Sequence, residues 1–150
     1  MKLTPTLLCS IALAAAAASP ALAALGEDVS TVEADLVRMK GALRVTSTAA
    51  YAVHEITSAD GTVVREYLSP QGKVFALSWH GPFMPDLRQV LGSYYGQYEQ
   101  AASVPHYGHR HLAVEEPGLV VHSSGRLRAF SGRAWVPGMV PADFSVDAIK

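Results

Sequence analysis

Two turn signals, Asp60-Gly61 and Pro70-Gln71-Gly72, constrain this chain more than any other feature of it. Both positions of Asp-Gly tolerate the positive φ that two-residue hairpins demand. Proline presets one turn angle and the following glycine takes the unusual one. Around them lie Tyr51–Thr57, Thr62–Leu68 and Lys73–Trp79, each short and rich in β-branched or aromatic residues. The spacing predicts three antiparallel strands in a meander. Alternation along the third puts Phe75, Leu77 and Trp79 on one face, read as the core face. On the second, Val64 and Leu68 share a face with Glu66. Either Glu66 is a buried carboxylate with a partner, or the opposite face, Val63, Arg65 and Tyr67, is the packed one.

Helical spacing appears on both sides of this meander. From Glu27 to Arg44, the residues Val29, Val32, Leu36, Met39 and Leu43 form one apolar stripe, with a capping box at Ser30–Glu33 and Gly41 as a stop. A small, polar connection follows at Thr46–Ala50. A second helix is expected from about Pro85 to Ala102, with Pro85 at its start and Asp86 and Gln89 as a capping pair. Its stripe is Leu87, Val90, Leu91, Tyr94, Tyr98 and Ala101. Three more strands are expected at His111–Glu115, Leu119–His122 and Arg126–Val136, joined by Pro117-Gly118 and Ser123-Ser124-Gly125. Ser131-Gly132 reads as a bulge. The stretch from Pro137 to Lys150 carries no assignable pattern.

The expected fold class is therefore α+β: an antiparallel sheet of about six strands packed against two helices, in the order α-βββ-α-βββ. Trp79…Pro82…Met84-Pro85 and Trp135…Pro137…Met139…Pro141 are similar endings of the two halves, which suggests an internal duplication.

The first residues read as an address. Lys2 supplies a positive start, Leu7–Ala18 an apolar run, and Ala21-Leu22-Ala23 the small residues at a cleavage site. The run is shorter than the roughly 20 residues of a membrane span. Residues 1–23 are expected to be a signal peptide cleaved near Ala23, leaving a single α+β domain over 24–150 in the periplasm or secreted. No later segment is long and apolar enough to be a transmembrane helix. Cys9, the one cysteine, lies in the leader, so the mature chain has no disulfide and no thiol chemistry. Removing Lys2 from the 12 Lys+Arg leaves 11 against 13 Asp+Glu, and this near-neutral balance lacks the basic excess of a nucleic-acid binder.

Few constellations could carry chemistry. His106, His109 and His111 are weak metal candidates, on a loop leading into a strand and without a carboxylate among them. Ser78, His80 and Asp86 lie close in sequence, but no nucleophile-elbow motif accompanies them. Glu55 and Glu66 on adjacent strands could pair as carboxylates for glycoside cleavage. No catalytic residue and no cofactor is assigned. The densest grouping of polar and aromatic side chains is Arg65, Glu66, Trp79, His80, Asp86 and Arg88, around one corner. These are the candidate binding residues. Their structural counter-reading has Asp86 capping a helix, Trp79 filling the core and Arg65 pairing with Glu66 or Asp86.

At these residues the chain resembles a known family. GTVVREYLSPQGKVFALSWHGPFMPDLRQVLGSYY, with AALGEDVSTVEAD before it and GRLRAFSGRAWVP after it, is similar to short exported proteobacterial proteins known only as a domain of unknown function. The resemblance covers essentially the whole mature chain. It implies export by the general secretory route and a single domain, and it carries over no activity, cofactor or catalytic residue. The function expected is that of a small exported binding or accessory protein with a protein partner in the cell envelope, serving a secretion or envelope-assembly system. The alternative is a metal-binding or hydrolytic periplasmic enzyme.

Overall fold

We describe the structure, a computed structural model, over residues 24–29, 37, 40–104 and 111–150. The expected leader, most of the expected first helix, and His106 and His109 lie outside those residues.

The two turn signals form the turns expected of them. Ser58 N–H donates to the Thr62 carbonyl and Gly61 N–H to Ser58, while Asp60 Oδ1 accepts from Thr62 N–H at 2.8 Å and from the Ser58 hydroxyl. Ser69 and Lys73 close the second turn, and Gly61 and Gly72 both take positive φ. These turns join β2 (Ala52–Thr57), β3 (Val63–Leu68) and β4 (Val74–Gly81).

A strand not expected from the sequence precedes them. β1 (Ala42–Ser47) pairs antiparallel with β2, where the sequence suggested a helix end and a polar connection. Leu43 fits a helical stripe by spacing, but Leu43 and Val45 also alternate with Arg44 and Thr46. Ladder hydrogen bonds to β2 decide for the strand. After β4 comes a single helical segment, and then β5 (His111–Glu116), β6 (Leu119–Arg126) and β7 (Ala129–Trp135). The described residues thus form seven strands and one helical segment, not six strands and two helices, and the order α-βββ-α-βββ gives way to four strands, helix and three strands. All seven strands form one antiparallel sheet in the order β1-β2-β3-β4-β7-β6-β5. The meanders β2–β4 and β5–β7 meet along their last strands.

The helical segment comprises α1 (Leu87–Leu91), a 3-10 turn at Gly92–Tyr94, and α2 (Tyr95–Ala102). Gly92 breaks it, with φ +51, and a Cβ there would stand 2.3 Å from Ala24 Cβ. Ala24 and Leu25 are buried at that point, and Leu25 N–H donates to the Val90 carbonyl. This layer covers one side of the sheet, the helix face. There Leu25, Val64, Leu77, Trp79, Val90, Leu91 and Val121 form a core.

The other side is covered by the chain end. After Val136 the chain takes 3-10 turns at Pro137–Met139 and Val146–Ala148 and packs Phe144 and Ile149 onto Tyr67, Phe75 and Ala76. The Phe144 ring meets Phe75 edge-on at 4.8 Å and Tyr51 at 5.0 Å. This side is the tail face. Both alternatives for β3 therefore hold: Glu66 is buried with Val64 on the helix face, and Tyr67 is buried on the tail face.

Phe75 does not share the face of Leu77 and Trp79. The register shifts between Tyr67 and Leu68, opposite Val74–Ala76, and Phe75 packs with the tail. A bulge adds one residue to one strand and so moves a side chain to the other face. Two further expectations are corrected. Ser123-Ser124-Gly125 is not a turn, because β6 runs on to Arg126 and the hairpin turns at Leu127-Arg128. Ser131-Gly132 is not a bulge, because both residues stay in register with β4 and β6.

Candidate binding groove

Register places one polar row across the tail face. Arg44, Glu55, Arg65, Ser78, Arg133 and His122 are successive cross-strand neighbours from β1 to β6. One step further from the tail runs a second row, His80, Ser131, Ser124 and His111, from β4 to β5. Directly opposed side chains stand about 5 Å apart, so each row acts as a band of adjoining groups.

The tail ends at the first row. The Lys150 carbonyl accepts from the buried Ser78 hydroxyl at 2.6 Å, from Arg65 Nη1 at 2.9 Å and from Tyr67 Oη at 3.3 Å. Lys150 N–H in turn donates to Tyr67 Oη at 3.0 Å. Arg65 is already paired with Glu55 at 2.7 Å, so its charge is neutralised while its second edge serves the tail. Farther along, Arg133 Nη1 donates to the Val146 carbonyl at 3.4 Å, and the guanidinium lies 5.4 Å over the Trp135 ring. His122 meets the same ring edge-on at 5.3 Å, and its Nε2 is 3.2 Å from Glu115. Ser124 and Ser131 share a hydrogen bond of 2.9 Å.

Beside the Lys150 contact, the face is open among the described residues. A shallow groove of about 360 Å³ runs past His80, Ser131, Arg133 and His122. A second depression of about 260 Å³, sharing Ser124 and Ser131, extends it to His111 and Arg126. Among the described residues no Asp or Glu side chain lines either of them.

The six binding candidates do not gather at one place. Arg65 and His80 meet on the tail face, Nη1 to Nδ1 at 3.5 Å. Glu66 and Trp79 lie buried on the helix face. Asp86 caps α1, accepting from Arg88 N–H at 2.9 Å and Gln89 N–H at 3.3 Å. The exposed Arg88 lies 4.8 Å over the Tyr95 ring and 4.0 Å from Glu99. Asp86 also lines a cleft of about 240 Å³ with Ser58, Asp60 and Thr62. The Ser58 hydroxyl and then the Thr62 N–H hold the Asp60 carboxyl below its ordinary value.

The chemical constellations fare similarly. The Ser78 hydroxyl is engaged with Lys150, and Asp86 belongs to the helix. Glu55 and Glu66 point to opposite faces of the sheet. Among the described residues no group of three or more His, Cys, Asp or Glu is placed to hold a metal ion, and His111 stands at the end of the second polar row. Sequence reasoning missed His122, Ser124 and Ser131, and it reads Arg133, with Arg126 and Arg128 on the same hairpin, as solvated strand charges. Only the register of β6 and β7 brings them beside His80, and reading Ser123–Gly125 as a turn hid it.

Together these features define, among the described residues, a one-sheet α+β fold with the helical segment on one face and residues 137–150 on the other, where a polar groove lies open. The chain matches the family described as protein of unknown function, DUF2844, over residues 21–149, and belongs to that family. Neither a curated protein nor a solved structure matches it. Among the described residues no helix is long and apolar enough to cross a membrane.

Proposed function

We propose that the protein is an exported binding or accessory protein of the cell envelope, with a protein partner, serving a secretion or envelope-assembly system. Its recognition surface is the open half of the tail face, around Arg65, His80, Arg133 and His122. One observation carries this reading: a polar band crosses the sheet beside the packed segment 137–150, and among the described residues a groove lies open along it past His80, Ser131, Arg133 and His122. Open polar surfaces on rigid strands suit recognition, whereas enclosed apolar cavities suit small molecules. The export part rests on the leader pattern of residues 1–23.

The cysteine-free mature chain allows a direct test. Ser131→Cys in the groove and Gln100→Cys on α2 are each labelled with a photo-crosslinker in cells. Discrete protein adducts at position 131 and none at 100 are expected. Equal labelling at both, or none at 131, removes the surface from consideration. Mass measurement of the periplasmic fraction should find a chain starting at Ala24, and an unprocessed cytoplasmic chain would sink the export reading.

A further inference from the structure

Resting on that surface as the recognition site, we propose that the groove binds an acidic, extended peptide segment of the partner, about four residues long. Length follows from register. His80, Ser131, Ser124 and His111 are consecutive neighbours over three strand-to-strand steps, about 14 Å in all, and an extended chain covers about 3.3 Å per residue.

The sign of the ligand follows from the lining. Arg133 has no carboxylate partner among the described residues, Arg126 lines the far end, and neither depression contains Asp or Glu. His80 and His111 each carry at least one N–H donor in any protonation state, and Ser124 and Ser131 add hydroxyls. Glu115 reaches His122 from the rim and leaves Arg133 unopposed.

Spacing favours a chain of carboxylates over a compact anion. His80 faces Ser131, so Arg133 stands diagonal to it, about 7–8 Å away. Alternate side chains of an extended peptide recur at about 6.6 Å, close to that interval. The Arg133 guanidinium lies over Trp135 and donates to the Val146 carbonyl, so a compact anion at His80 meets it only if the guanidinium leaves those contacts. The neighbouring cradle already holds a main-chain oxygen, the Lys150 carbonyl, between a hydroxyl, a phenol and a guanidinium. A partner segment lying beside the tail would extend this pattern of backbone and carboxylate oxygens along the face.

The test is calorimetric titration of the full mature chain with blocked tetraglutamate, with tetralysine and tripolyphosphate as comparators. Tetraglutamate should bind and the comparators should be at least tenfold weaker. Ser131 is exposed and takes no part in holding the tail, so it can carry a charge without disturbing the fold. Ser131→Asp should weaken tetraglutamate at least tenfold and Ser131→Lys should tighten it, with thermal melts confirming that both variants are folded. Tripolyphosphate binding as tightly as tetraglutamate overturns the peptide assignment. So does absence of tetraglutamate binding, or an affinity that ignores the charge at position 131. If titration fails while Ser131→Cys still crosslinks in cells, the ligand class is wrong and the surface stands. If both fail, the surface itself is wrong.

Discussion

Trp79 lies across the position where Gly132 has no side chain. The two are directly opposed on β4 and β7, and a Cβ on Gly132 would stand 2.2 Å from Cζ2 of the indole. The glycine is therefore a socket for the ring on the helix face. Gly132→Ala should destabilise the protein by about 1–3 kcal/mol through overpacking. Gly138→Ala, where no atom lies within 4 Å of the added Cβ, should be near neutral. Urea unfolding of the two variants checks this, and equal midpoints would refute the socket.

Trp79 is 1% exposed in the helix-face core. Trp79→Ala should cost about 3–5 kcal/mol, lowering Tm by on the order of 10 °C. In the Trp79→Ala background, Gly132→Ala should lose the part of its cost owed to the ring and keep the part owed to the His122 carbonyl oxygen, which would stand 2.8 Å from the added Cβ. A double-mutant cycle reads that coupling directly. Additive effects would show that the two residues do not share space.

The tail is held to the sheet by Ser78 as well as by Phe144 and Ile149. Ser78→Ala should cost about 1 kcal/mol for the lost hydrogen bond. Its main signature should be local, with faster hydrogen exchange at Ala148 and Ile149, whose N–H groups close the last 3-10 turn. Protection unchanged at those amides would show that Lys150 is fixed by other contacts.

Burial holds the His54 imidazole below its ordinary value of 6.5. The unfolded chain then takes up the proton first as pH falls, so the stability attached to neutral His54 is present above 6.5 and lost progressively below it. His54 Nδ1 is buried without a hydrogen-bond partner among the described residues. The stability difference between wild type and His54→Gln should therefore shift in favour of the variant between pH 7 and pH 5. A difference constant over that range would count against it.

Arg128 turns the β6–β7 hairpin at φ +58, a conformation that costs a non-glycine residue about 1–2 kcal/mol. Arg128→Gly should raise stability by roughly 0.5–1 kcal/mol once glycine's extra unfolded-state entropy is subtracted, read as a higher urea midpoint. A lowered midpoint would mean that the arginine side chain contributes more than its backbone strain costs.

That hairpin shows why part of the fold was hidden from the sequence. Leu127-Arg128 has no turn chemistry, whereas Ser123-Ser124-Gly125 has a good deal of it. Gly125 nevertheless sits inside β6 opposite Phe130, whose ring would be 2.9 Å from an added Cβ. Gly125 and Gly132 read locally as a turn and a bulge, yet each stands across from an aromatic ring on the next strand. Such a partner is invisible in a one-dimensional pattern. β1 was hidden for a related reason, since its residues fit helical spacing and strand alternation equally well.

The sequence by itself determined the hairpins at Ser58–Thr62 and Ser69–Lys73 and the cap of α1 by Asp86, because each depends on backbone angles and hydrogen bonds within five residues. Strands β2 to β4 follow, since short turns force their neighbours to pair antiparallel. The irregularity inside the β3–β4 pair, which parts Phe75 from Trp79, leaves no turn signal in the sequence. Tertiary structure decided the rest: that the chain packs on both faces of the sheet, and that Arg133 and His122 join His80 while Trp79, Glu66 and Arg88 do not. Those outcomes turn on which strand lies beside which. Pairing between strands more than fifty residues apart is set by burial and ring packing over the whole sheet, and no local stretch of chain encodes it.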